Sequence, residues 1–248
     1  MSSDPITTHG FTAVPASART LLNPSLTPQH PAPSTPAPPL PVSATPIPST
    51  PLAQRIHAYA KSHLPTPTYN HSLRVYHYGL AIKSYRFPNW SFSDETYFLA
   101  CLLHDIGTTE ENLRKTRLSF ESYGGMVAME VLLGKKGEGD VADVAQAESV
   151  AEAIIRHQDL CEVGTITAVG QLLQLATIFD NTGAHKELVH PSTIEDVSAN
   201  FPRLKWSGCF AATIRQELAL KPWAHTTALG EEDFPAKVLG NTLMQKYE

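Results

Sequence analysis

Two histidines and two aspartates stand out by type and placement: His71, the adjacent pair His104-Asp105, and Asp180, each at or near the edge of an apolar stretch with helical period. Two imidazoles and two carboxylates arriving from three helices would form a metal-binding set, and such a site with open coordination positions activates water. The chemistry expected is hydrolysis or hydration. A set of two nitrogens and two oxygens without sulfur suits Zn, Fe or Mn, and softness alone does not choose among them. A carboxylate at the end of an apolar helix also needs a cation, since burying it unpaired costs several kcal/mol.

These four residues must be held by helices. From Leu52 onward nearly every segment reads at helical rather than strand period. Leu52–His63 forms a first amphipathic helix, stopped by Pro65 and Pro67, and Thr68 stands where an N-cap would precede Tyr69–Arg86, with His71 in its first turn. Ser93 opens the next helix, whose run Leu99-Ala100-Cys101-Leu102-Leu103 leads into His104-Asp105 before Gly107 ends it. Consecutive helical residues point about 100° apart, so this pair can grip one ion only where the helix is ending. Further helices are expected over Ser119–Leu133, over 140–157 with His157 at its end, over Thr165–Phe179 as the central buried helix closed by Asp180, and over Cys209–Leu218. With no βαβ alternation, the fold class expected is an all-α bundle around a single metal site.

Eleven of the twenty prolines lie between Pro24 and Pro51, among Ser, Thr and Ala. That composition forms neither core nor helix, so 24–51 reads as a solvated Pro-rich linker. It joins an N-terminal segment, 1–23, whose amphipathic stretch 10–23 could dock back, to a helical catalytic domain over 52–248.

The 248 residues carry a formal charge of −5 and no basic cluster, which argues against nucleic acid or an anionic membrane as partner. No apolar run spans a bilayer, no signal pattern opens the chain, and Cys101, Cys161 and Cys209 form neither a disulfide framework nor a thiolate site, so a cytoplasmic protein with reduced thiols is expected. A homo-oligomer is left open.

The order His71, His104-Asp105, Asp180 across helical sequence, with the pair written LLHDIG, resembles the HD-domain superfamily of metal-dependent phosphohydrolases over roughly residues 52–222. YNHSLRVYHYG (69–79), TRLSFESYGG (116–125), EAIIRHQD (152–159), QLATIFDNTGA (174–184), FPRLKW (201–206), KPWAHTT (221–227) and the early GFTAVPASA (10–18) are similar to the fungal cyanamide hydratases, a branch of that superfamily. The resemblance implies an HD-type helical bundle and zinc-dependent hydration of the nitrile of cyanamide to urea. The Pro-rich block departs from it. From the phosphohydrolase pattern the chain departs twice: Thr108-Thr109 follow HDIG where many relatives carry Lys or His, and Phe120 stands where two-metal relatives place a further His, so a second metal is disfavoured.

On this reading one Zn²⁺ held by His71, His104, Asp105 and Asp180 lowers the pKa of bound water toward ~7, and the resulting hydroxide attacks the nitrile carbon of a small neutral substrate. His157 is the expected proton donor to the nitrile nitrogen, its ordinary pKa lying near neutrality. Thr182, Asn181 and Thr108 are the expected substrate hydrogen-bonders, with Tyr69, Phe120 and Trp206 as pocket walls. Against these stand plain structural roles: His157 as a residue favoured by the helix C-terminus, and the two threonines as hydroxyls bonded to local backbone. The competing activity is an HD-type phosphohydrolase acting on a nucleotide or other phosphomonoester, for which Arg74, Arg114, Lys115 and Arg117 would supply the phosphate grip. A metal-stabilised, non-catalytic helical module is the third reading.

Overall fold

A helix can begin on prolines, because an N–H missing from its first turn would have had no intrahelical partner. The helix that carries His71 does so: in a computed structural model that describes residues 4–23, 25, 35–134 and 139–248, it spans Thr66–Arg86 (here α4, in the numbering below), with Pro65 at the N-cap and Pro67 in the first turn. Thr68 therefore lies inside the helix rather than capping it, and His71 in its second turn. In chain order the elements are α1 (Pro5–Thr8), β1 (Ala13–Pro15), α2 (Ala18–Leu22), α3 (Pro51–His63), α4, α5 (Asp94–Leu103), α6 (Glu110–Lys115), α7 (Phe120–Leu133), α8 (Val144–Arg156), β2 (Thr165–Thr167), α9 (Ala168–Thr182), α10 (Pro191–Asn200), α11 (Trp206–Leu220) and α12 (Asp233–Leu239). The fold is all-α, and no helix among the described residues is long and apolar enough to cross a membrane.

The core is built where α4 packs on α5 and α9, and α8 on α5, α7 and α9. Apart from Ile178, α9 is buried from Ala168 to Asn181, as expected for the central helix, and α4 shares that position through Leu73, Val75, Tyr76, Tyr78 and Ile82. Asp180 does not close α9: the helix runs on to Thr182 and ends at Gly183, whose left-handed conformation (φ 72°) serves as the C-cap. Thr165–Thr167, expected as the start of that helix, is instead β2, paired antiparallel with β1 in the register Val14 to Ile166. Three residues are too few for a period to tell strand from helix.

The N-terminal segment lies on the helices. His9 Nδ1 is 3.0 Å from Thr96 Oγ1, Ser93 N–H donates to the Thr8 carbonyl (2.9 Å), and Ala168 N–H donates to the Thr12 carbonyl (2.8 Å). The expectation of a solvated linker fails for 35–51. Leu40 N–H donates to Thr193 Oγ1 (2.8 Å), Val42 N–H to Asp196 Oδ2 (2.7 Å), Tyr85 Oη to the Thr35 carbonyl (2.8 Å) and Tyr76 Oη to the Pro46 carbonyl (3.1 Å). An extended Pro-rich backbone makes no internal hydrogen bonds, so its polar groups are free to bond side chains of the helices beneath, here α4 and α10. Residues 24 and 26–34 of that stretch, like 135–138 of the expected Lys/Gly loop, lie outside the described residues.

Candidate metal centre

His104 is the C-cap of α5 and Asp105, at φ −100° and ψ 12°, has already left the helix. That break turns the two neighbouring side chains toward one point, as expected of the pair. The turn that follows is pressed against the start of α7: a Cβ built on Gly107 would lie 2.1 Å from the Phe120 carbonyl oxygen, so only glycine fits there.

Three imidazoles meet at this point. His71 Nε2 and His104 Nε2 are 3.2 Å apart, and Asp105 Oδ2 lies 3.3 Å from His104 Nε2 and 3.8 Å from His71 Nε2. His157, at the C-cap of α8, brings Nε2 to 3.9 Å from Asp105 Oδ1. Each ring is held from behind by an acceptor on its Nδ1: the Cys101 carbonyl for His104 (2.8 Å), the Ile154 carbonyl for His157 (2.7 Å) and Asp180 Oδ2 for His71 (2.6 Å). An Nδ1 that donates leaves a bare lone pair on Nε2 in the neutral ring. Three bare nitrogens and a carboxylate thus face one another in a region 0–1% exposed, and both Asp105 oxygens and His157 Nε2 lack a hydrogen-bond partner.

Such an arrangement repels itself unless a cation stands in the middle. Tetrahedral zinc with Zn–N distances of 2.0–2.1 Å would place its ligand atoms about 3.3 Å apart, close to the His71–His104 and His104–Asp105 spacings; His71, His104 and Asp105 offer ligand atoms all within 4.8 Å of one another, and His157 stands at the edge of that group. The residues therefore fit a metal, and acceptors behind ligand imidazoles are the usual support of such a site. Two of the three rings are held neutral by burial, and the third is drawn toward its charged form by Asp105, a charge that takes the place of the cation. Burial drives the pKa of His71 and of His157 down to about 4, keeping both rings neutral. Burial opposes charge on His104 as well, but the adjacent Asp105 outweighs it and raises its pKa. For Asp105 the cost of burial is overcome by the imidazoles, and its pKa falls to about 2.

Asp180 sits behind the cluster. Arg74 donates to it from Nε (3.1 Å to Oδ1) and Nη2 (2.9 Å to Oδ2), and Arg203 from Nη1 (2.7 Å to Oδ1), in addition to the His71 contact. Burial raises its pKa, but the two guanidiniums prevail and hold the carboxyl well below the usual carboxylate range. The cation expected to compensate Asp180 is thus supplied by arginine. Arg74 was the first of the residues expected to grip a phosphate, and it is committed here. Arg114 pairs with Glu110 (2.5 Å) and Lys115 lies 4.0 Å from Glu111.

Each side chain expected to bind substrate makes one hydrogen bond within the protein. Thr182 Oγ1 donates to the Ile178 carbonyl (2.8 Å) and Thr108 Oγ1 to the Asp105 carbonyl (2.7 Å), as hydroxyls near helix ends do. Asn181 Oδ1 accepts from Trp206 Nε1 (2.8 Å). His157, expected as proton donor, is a neutral ring whose only N–H is given to Ile154. Of the expected walls, Trp206 stacks on His71 (centroids 4.2 Å apart) and the Phe120 ring meets His157 edge-on (5.5 Å), whereas Tyr69 turns away to bond His57. The side facing α7 is latched. Lys221 Nζ donates to the Leu118 carbonyl (2.7 Å), Trp223 Nε1 to the Arg117 carbonyl (2.9 Å) and His225 N–H to Ser119 Oγ (2.9 Å).

Sequence reasoning missed Arg203 and gave Arg74 a different task. Arg74 stands three residues after His71, on the same helix face, and that spacing was the available signal. Arg203 lies within FPRLKW, a stretch that carried the resemblance without a reason for its arginine.

The HD domain family model matches residues 68–182, which contain all three histidines and both aspartates of the centre. Two curated relatives from Saccharomyces cerevisiae, cyanamide hydratase DDI2 and cyanamide hydratase DDI3, are each 44% identical to the chain over 190 residues, covering 77% of this chain and 82% of the relative. With this identity over most of both chains and the HD match across the centre, the chain belongs to the cyanamide hydratase family of HD-domain proteins.

Proposed function

We propose that the protein hydrates cyanamide to urea at one metal ion, held by Nε2 of His71, His104 and His157 and by the carboxylate of Asp105, with Asp180 as the support behind His71. The observation that carries this reading is the convergence of three bare imidazole nitrogens and an unpartnered carboxylate on one buried point. Three imidazoles and one carboxylate favour zinc over magnesium or calcium, which prefer oxygen. A bound zinc supplies a water acidic enough to deprotonate near neutral pH.

The protein's own groups do the rest. The Cys101 and Ile154 carbonyls and Asp180 fix which nitrogen of each ring faces inward. Trp206 and Phe120 close the walls, so the enclosure suits a small neutral molecule and keeps out bulk water. As the C–O bond forms, charge develops on the nitrile nitrogen and requires a proton, which the neutral His157 does not have at Nε2. The phosphomonoester reading lacks support of its own: the site is closed and apolar on two sides, and Arg74 is bound to Asp180.

The test is urea formation from cyanamide by purified protein, beside His104→Ala, with metal determined on both samples. Urea from the zinc-loaded wild type alone is expected. No urea from a folded, zinc-loaded wild type would overturn the reading and send the protein to a phosphomonoester panel.

A further inference from the structure

A second buried polar cluster adjoins the metal centre, made of Glu121 in the first turn of α7, Glu217 on α11, Gln158 directly after His157, and Thr226. Thr226 Oγ1 lies 3.3 Å from Glu121 Oε1, 3.3 Å from Glu217 Oε2 and 3.5 Å from Gln158 Oε1. All four residues are 0–3% exposed. A hydroxyl has one hydrogen and therefore satisfies one of these acceptors. Turning the Gln158 amide to present its NH₂ would still leave two carboxyl oxygens competing for that hydrogen. One of the two glutamates must carry a proton of its own.

The surroundings identify which. Glu217 Oε1 accepts from the Phe120 backbone N–H (2.7 Å) and lies 3.5 Å from Lys221 Nζ, the partners of an anion. Among the described residues Glu121 has no ion-pair partner, and its Oε2 is buried without a hydrogen-bond partner. Burial first, and then the Glu217 and Asp105 charges, push its pKa up to about 8. The Phe120 ring on His157 ties this corner of α7 to the metal centre.

We propose that Glu121 is the acid–base group of the hydration: its carboxyl gives a proton to the nitrile nitrogen as the C–O bond forms, and takes one back from the oxygen of the isourea so produced. This rests on the reading of the protein as a cyanamide hydratase. In the first step one C–N π bond is exchanged for a C–O and an N–H bond. In the second, the isourea O–H proton is lost to the Glu121 carboxylate, and the former nitrile nitrogen, still an imine, takes up the proton that the attacking water released on becoming hydroxide, giving urea. One water is consumed and Glu121 ends as it began. Thr226 and Glu217 keep the proton on Glu121 between turnovers.

Glutamine copies a neutral glutamic acid in shape and as a hydrogen-bond donor but cannot transfer a proton, so Glu121→Gln separates transfer from structure. In zinc-loaded enzyme, Glu121→Gln should lower kcat by roughly 10²-fold or more, the usual worth of a positioned acid–base group, with KM and zinc content unchanged. A kcat within threefold of wild type overturns the proposal. Infrared spectroscopy of the metal-free wild type at pH 7 should show a protonated carboxyl that is absent from Glu121→Gln and retained in Glu217→Gln. Absence from wild type, or loss in Glu217→Gln alone, also overturns it, and the wild-type spectrum decides even if a variant fails to fold. A wild type that makes no urea removes the hydratase reading and the catalytic role together. The spectrum then still reports whether the neutral carboxyl exists, so the two failures are distinguishable.

Discussion

The two flanks of the His71–His104–Asp105–His157 cluster are built on opposite terms. Behind His71, every atom of the Asp180 carboxylate is taken up by Arg74, Arg203 and the imidazole, and Arg203 is held in turn by Glu248 (2.8 Å). Toward α7, Asp105 Oδ1 and Oδ2, His157 Nε2 and Glu121 Oε2 are buried without hydrogen-bond partners among the described residues. Buried polar atoms are costly when unpaired, so a fold keeps them where a ligand completes them. The satisfied flank holds geometry, and the unsatisfied flank is where chemistry is done.

The largest effect is expected from breaking the satisfied flank. Arg203→Met leaves Asp180 with one guanidinium fewer, and stripping a partner from a buried ion pair typically costs about 3–5 kcal/mol. Chemical denaturation should register that loss, and an unchanged midpoint would mean that Asp180 is solvated. The sequence showed that Asp180 needed a cation but not that arginines supply it. His71, His104 and Asp105 could be found because adjacency and helix ends are local properties. The task of Asp180 depended on two arginines, one of them 23 residues away in a loop, and on α9 continuing past the aspartate to Thr182. For His157 the sequence showed a histidine at a helix end, but which nitrogen faces inward is set by the Ile154 carbonyl, a matter of how α8 terminates.

A smaller loss is expected from Asp180→Asn, which keeps the shape and weakens the acceptor behind His71. Support residues of this kind usually contribute 10–100-fold in metal affinity. Competition with a chelator should show that loss with all four proposed ligands intact, and affinity equal to wild type would make Asp180 dispensable.

Acid sharpens the contrast in metal-free protein. The folded pKa values of His71, His77 and His157 are lowered to about 4 by burial, so the folded state binds fewer protons than the unfolded state between there and 6.5. Their contribution is whole above 6.5 and is lost as pH falls through 4. Glu121 runs the other way, its raised value of about 8 making stability decline as pH climbs from the ordinary carboxyl range toward 8. The raised pKa of His104 acts in the same alkaline direction. Thermal unfolding of metal-free protein against pH should therefore pass through a maximum, and Glu121→Gln should flatten its alkaline limb.

The smallest effect is expected outside both flanks. Thr182→Val removes a hydroxyl bonded only to its own helix, and stability should move by about 0.5 kcal/mol or less with kcat for cyanamide unchanged. A large fall in kcat would restore Thr182 to the substrate site.

The latch of three hydrogen bonds between 117–119 and 221–225 sets the terms of traffic. The cluster has no standing exposure, so each substrate molecule that enters and each product that leaves does so during a transient parting of neighbouring segments. The frequency of that opening then sets a ceiling on turnover of its own, beside the one set by the chemical barrier. Discrimination against bulkier nitriles becomes kinetic, decided by how wide the segments part and for how long.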